Sequence, residues 1–228
     1  MASKSRRSFL SNLGVAASAA GATLAGGAAV AHAQAPADGG RWQPARHDKD
    51  DWYDQLPGKH RLFFDTSKPD ALEDAIQFAG NFFTANRGDY ALEQTDLAVI
   101  VCMRHRSAPF AFNDAIWAKY GVTLAKRAEF VDPKNPDAPK VNPFTPVAPA
   151  APARARGLAG LMKLGVQFAI CNLSTHGIAS MIAGVTGGTA DAVYKELAAN
   201  LIDRARLVPA GIVAVNRAQE HGYSITGS

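Results

Sequence analysis

Two cysteines, Cys102 and Cys171, are the only thiols of the 228-residue chain, and each has a histidine close behind it, His105 after three residues and His176 after five. A thiolate is a nucleophile toward disulfides and sulfane sulfur. Cys171 closes an apolar run and leads into a helix start, where free N–H groups and the helix dipole favour a thiolate. His176 would assist by holding a proton or a hydrogen bond. Asn172 follows Cys171 directly and is a candidate substrate contact, as are Arg104 and Arg106, the basic pair around His105. Those arginines could meet an anionic sulfur species such as thiosulfate, or a carboxylate of the same chain. If the two Cys-bearing strand ends are neighbours, Cys102, His105, Cys171 and His176 converge. That set could bind copper or zinc, or close one disulfide, which requires Cα atoms within about 7 Å. The plain alternative for Cys171 is an inert thiol at the end of a core strand, since cysteine is among the most buried residue types.

The elements that would position these residues alternate between strand and helix. Arg61-Leu62-Phe63-Phe64-Asp65 reads as a buried strand, and Pro69-Asp70 as a first helical turn. Leu72, Ile76, Ala79 and Phe83 recur on one helical face, with Gly88 as the expected stop. The uninterrupted run from Leu97 to Cys102 predicts a strand covered on both faces. Asn113 caps a short helix carrying Ile116, Trp117 and Tyr120, closed by Gly121. Leu158, Leu161 and Met162 suit a helix ending at Gly165, before a third strand from Val166 to Cys171. A helical turn or two from Ile178 to Ile182 is interrupted by Gly184 and the pair Gly187-Gly188, and Thr189 caps a helix with Val193, Leu197 and Leu201 inward. Leu207-Val208, a helix to Gly222 and Tyr223-Ser224-Ile225 complete the chain. Strands separated by helices predict a three-layer α/β/α sandwich on a mostly parallel sheet.

Two segments break this alternation. Residues 34–58 form a polar arm in which little regular structure is expected, with Trp42 and Trp52 expected to pin it to the body or to a neighbouring subunit. Residues 131–153 form a proline-rich insertion with prolines every three positions, the polyproline II repeat. A surface excursion packed on its own domain or on a sister subunit is preferred there to a lid or partner-binding segment.

The N-terminus carries Ser5-Arg6-Arg7-Ser8-Phe9-Leu10, a weakly apolar uncharged run and then Ala31-His32-Ala33. This is the pattern of a twin-arginine export signal cleaved near residue 33, which predicts a periplasmic protein with no membrane anchor after cleavage. Three of the 24 basic residues, Lys4, Arg6 and Arg7, lie in this leader, which holds no acid. The remainder is close to neutral against 20 acidic residues, so the basic balance is no argument for nucleic acid. Phosphate-loop, serine-elbow and zinc-helix motifs do not appear.

The third strand ending in Cys171 with Asn172-Leu173-Ser174-Thr175-His176-Gly177 resembles the DsrE/DsrF-like family. So does Leu207-Val208-Pro209-Ala210-Gly211 running on to Gln219-Glu220-His221-Gly222-Tyr223. The likeness spans roughly residues 59–226, apart from the proline insertion, and of the two cysteines only Cys171 falls at the family's cysteine position. It implies a five-stranded α/β/α domain over 59–228, a trimer or hexamer, and a persulfide on Cys171 in place of a cofactor. The expected function is binding or relay of sulfane sulfur, with small sulfur species as partners. The alternative is a non-catalytic oligomeric binding protein, with or without the Cys/His metal site.

Overall fold

The computed structural model describes residues 43–132, 137, 139–145 and 157–227. The expected export leader, Trp42 and much of the proline insertion lie outside them. Residues from Pro44 onward form one compact unit.

The chain runs α1 (Trp52–Gln55), β1 (His60–Thr66), α2 (Pro69–Tyr90), β2 (Leu97–Met103), α3 (Asp114–Ala128), α4 (Gly157–Lys163), β3 (Gln167–Cys171), α5 (Asn172–Thr186), α6 (Ala190–Ala199), β4 (Ala205–Val208), α7 (Gly211–Glu220) and β5 (Ser224–Gly227). All five strands are parallel, in the order β4-β3-β2-β1-β5. The predicted α/β sandwich is therefore present, with a wholly parallel sheet.

Alternation along the central strand divides the core. Val99, Val101 and Met103 face one side, where Leu72, Ala79, Ile116, Trp117, Leu158, Ile178 and Leu197 bring in helices α2 to α6. Ala98, Ile100 and Cys102 face the other, where α7 contributes Ala214 and Ala218, and Trp52 and Tyr53 come from the arm. Every residue of β2 is buried, as a strand covered on both faces requires.

Most of the helix that follows β1 obeys its sequence signals: Pro69 takes the first turn, and Leu72, Ile76, Ala79 and Phe83 are all buried. Three expected stops do not stop anything. Helix α2 passes Gly88 and ends at Tyr90, with Ala91 in the left-handed region. Helix α3 passes Gly121 to reach Ala128, capped at its start by Asn113 accepting from the Ile116 N–H. Helix α5 passes Gly184 and ends where Gly187 turns left-handed. A helical glycine costs only about 1 kcal/mol relative to alanine, which packing on either side readily outweighs. At Gly121 there is a positive reason for glycine, because an added Cβ would overlap the carbonyl of Pro139.

That contact belongs to the described end of the proline insertion, which packs on its own domain. Asn142 is fully buried and its amide donates to the carbonyls of Phe110 and Phe112 at 2.7 and 2.9 Å. Phe144 meets the Phe110 ring edge-on with centroids 4.5 Å apart. The arm is likewise held by its own chain. Trp52 stacks on Tyr53 and is covered by the Arg206 guanidinium at 4.4 Å. Contrary to the expectation of little regular structure, the arm includes the turn Asp48–Asp50 and helix α1.

Candidate functional site

In an open parallel sheet, ligands bind beyond the carboxyl ends of the strands, where successive connections leave toward opposite faces. Here β3 leads into α5, packed on one face, and its neighbour β4 leads into α7, packed on the other. That rule puts a ligand at the ends of β3 and β4. Cys171 is the last residue of β3.

Cys171 is also the N-cap of α5, its Sγ accepting from the Ser174 N–H at 3.4 Å. A sulfur thus does the work usually done by a Ser, Thr, Asn or Asp oxygen. Its residual exposure is 6%, whereas Cys102 has none. Burial drives the Cys102 thiol well above its ordinary pKa, and the charges of Asp65 and Cys171 push it the same way. Cys102 is therefore a protonated core thiol whose Sγ lies 3.9 Å from the Gly211 carbonyl.

The register relates the two cysteines. Cys102 pairs with Ala169, two residues before Cys171, so both point to the same face of the sheet. A rise of about 3.3 Å per residue and a strand spacing of about 4.8 Å put their Cα atoms about 8 Å apart. That exceeds the reach of a disulfide, and both thiols are free.

The loop after β2 is held by buried hydroxyls. Thr66 Oγ1 donates to the Cys102 carbonyl at 2.7 Å, and Ser107 Oγ accepts from the Arg104 N–H at 3.0 Å. His105 takes φ +54, a conformation costing about 1–2 kcal/mol for a residue with a Cβ. Its N–H donates to Ser174 Oγ at 2.9 Å, which ties this loop to the first turn of α5. The imidazole of His105 itself is exposed.

Arg104 is not a free anion contact. Its Nε and Nη2 donate to the two Asp65 oxygens at 2.7 and 2.8 Å. Hydrogen bonding to Asp65 raises its pKa, and its charge reaches both Cys102 and Cys171. Its stem lies against Gly211, where an added Cβ would come within 2.6 Å of it. Arg106 turns away to pair with Glu129 and lines a separate cleft of about 380 Å³ with Lys68, Asp70 and Glu73.

The other predicted residues are placed as follows. Asn172 accepts from the Tyr194 hydroxyl at 2.9 Å. The His176 ring stacks on Tyr194 at 4.0 Å between centroids, nearly parallel, and it makes no hydrogen bond to Cys171. The four-residue Cys/His set is not gathered: no group of three or more His, Cys, Asp and Glu suited to a metal occurs among the described residues. Asp65, Ser174 and Gly211 were absent from the sequence candidates. Only the charge of Asp65 at the end of an apolar run could have flagged any of them.

What these strand ends assemble is one buried cysteine on a helix start, near an arginine paired with Asp65. No protein-family model matches the chain, and no curated protein matches it either.

Proposed function

We propose that this is an exported thiol protein that binds sulfane sulfur on Cys171 and passes it on. The observation that carries the reading is the position of Cys171, at the end of β3 and at the N-cap of α5, the strand-end position where open parallel sheets bind ligands. The thiolate attacks the outer sulfur of a donor. The donor's S–S bond breaks, the donor leaves as its own anion, and Cys171 becomes a persulfide. The same step toward an acceptor thiolate returns Cys171 to its starting state, so neither direction needs an external oxidant. Export rests on the arginine pair and small-residue site of the leader, and a trimeric or hexameric assembly belongs to the same reading.

Polysulfide treatment tests the chemistry. The intact chain should gain sulfur mass on the peptide containing Cys171, reversibly under reductant, and Cys171→Ser should gain none. An unchanged wild-type mass would sink the proposal.

A further inference from the structure

The last turns of α2 present Gly80, Phe83, Thr84, Arg87 and Gly88 on one face, at the spacing of neighbours on successive helical turns. The two glycines leave that face hollow. Leu92, Gln94, Leu97 and Leu164 stand opposite, and the two walls enclose a cavity of about 270 Å³. Its floor is apolar: Phe83 and Leu97 are buried, and Leu92 and Leu164 pack half-buried against the same core. A Cβ added at Gly88 would meet no atom within 4 Å. Leu97 begins β2, so the cavity lies at the amino ends of the parallel strands, whereas Cys171 closes β3 at their carboxyl ends.

The other polar side chains of the lining spend their donors within the fold. Thr84 Oγ1 donates to the Gly80 carbonyl at 2.9 Å, and Gln94 Nε2 donates to the Lys163 carbonyl at 3.1 Å. Arg87 is the one charged residue of the lining, and it has no ion-pair partner among the described residues. A guanidinium presents its donors in a planar fork that matches both oxygens of a carboxylate. An apolar hollow with one unpaired guanidinium is complementary to a molecule with an apolar body and a single carboxylate. The volume falls a little short of the roughly 300 Å³ at which pockets for drug-sized ligands begin, which suits a ligand on the order of ten non-hydrogen atoms.

We infer that this cavity binds small apolar monocarboxylates, with Arg87 holding the carboxylate and Phe83, Leu97 and Leu164 covering the body. Binding here requires nothing of Cys171.

Octanoate and octanol share a chain and differ in charge. Calorimetric titration of the intact chain should show octanoate bound at one site, about three-fold or more tighter than octanol, a ratio within what an exposed ion pair supplies. Arg87→Gln should remove that preference and leave octanol unchanged. Gly88→Leu puts a side chain into the hollow and should weaken both ligands about ten-fold or more, because the apolar surface they would cover is already occupied. Leucine is favoured over glycine inside a helix, so this variant should keep its fold, which thermal unfolding checks. No binding of octanoate, or equal affinity for octanoate and octanol, would overturn the inference. So would octanoate held as tightly by folded Arg87→Gln or by folded Gly88→Leu as by the wild type.

Discussion

The two thiols should differ sharply in reactivity, and the size of the difference follows from where they sit. Cys102 is wholly enclosed in β2, which lies between β1 and β3 and is buried along its whole length. A maleimide can reach it only if that strand opens. Opening a central strand costs close to the global stability, about 5 kcal/mol at the low end for a native domain. At about 1.4 kcal/mol per decade this slows labelling by about 10³-fold or more. Cys171 needs only a fluctuation of the first turn of α5, with a penalty of about ten-fold. Pulsed N-ethylmaleimide labelling followed by peptide mapping should therefore give one adduct, on Cys171, about 100-fold ahead of Cys102. In concentrated guanidinium both should label alike. If Cys102 keeps pace with Cys171 under native conditions, the assignment of the core thiol and the reactive thiol is wrong.

Gly121→Ala is normally a stabilising exchange in a helix, by about 1 kcal/mol. Here the new methyl would overlap the Pro139 carbonyl, so the sign should reverse, with a loss of about 1–3 kcal/mol on denaturant unfolding. A gain in stability would mean that the proline insertion does not pack on α3. Burial pushes Tyr223 up to about 12 and Tyr53 higher still, while an unfolded tyrosine ionises near 10. Above that pH the unfolded chain releases protons that the folded chain keeps, so stability should be whole below about pH 10 and fall as pH rises toward 12. The slope is at most about 1.4 kcal/mol per pH unit for each tyrosine. Phenolate absorbance should show the same two groups titrating late, and flat stability across that window would contradict their burial.

The buried strands and most helix starts were legible because their signals are local. The run through β2 and the caps at Asn113 and Thr189 need no knowledge of the rest of the chain. Gly121 misled because a glycine's meaning depends on what packs against it, and the Pro139 carbonyl is far from it in sequence, whereas Gly88 and Gly184 meet no neighbour and misled because one glycine costs too little to stop a helix that is packed on either side. Helix α5 starts earlier than expected because a cysteine supplies its cap, a role that sequence patterns seek in oxygen-bearing residues. The site was half visible. Cys171 and Arg104 were picked out by residue type, but Asp65 meets Arg104 only through the parallel register of β1 and β2. The register of β2 against β3 separates the two cysteines beyond a disulfide, and a stacking partner from α6 occupies His176.

Sulfur held on Cys171 is read directly by cyanide. Cyanide removes the outer sulfur of a persulfide as thiocyanate and leaves the thiolate behind. Chain loaded with polysulfide and freed of excess reagent should release one equivalent of thiocyanate per chain, and Cys171→Ser should release none. No thiocyanate from the wild type, or the same amount from the variant, would contradict the account.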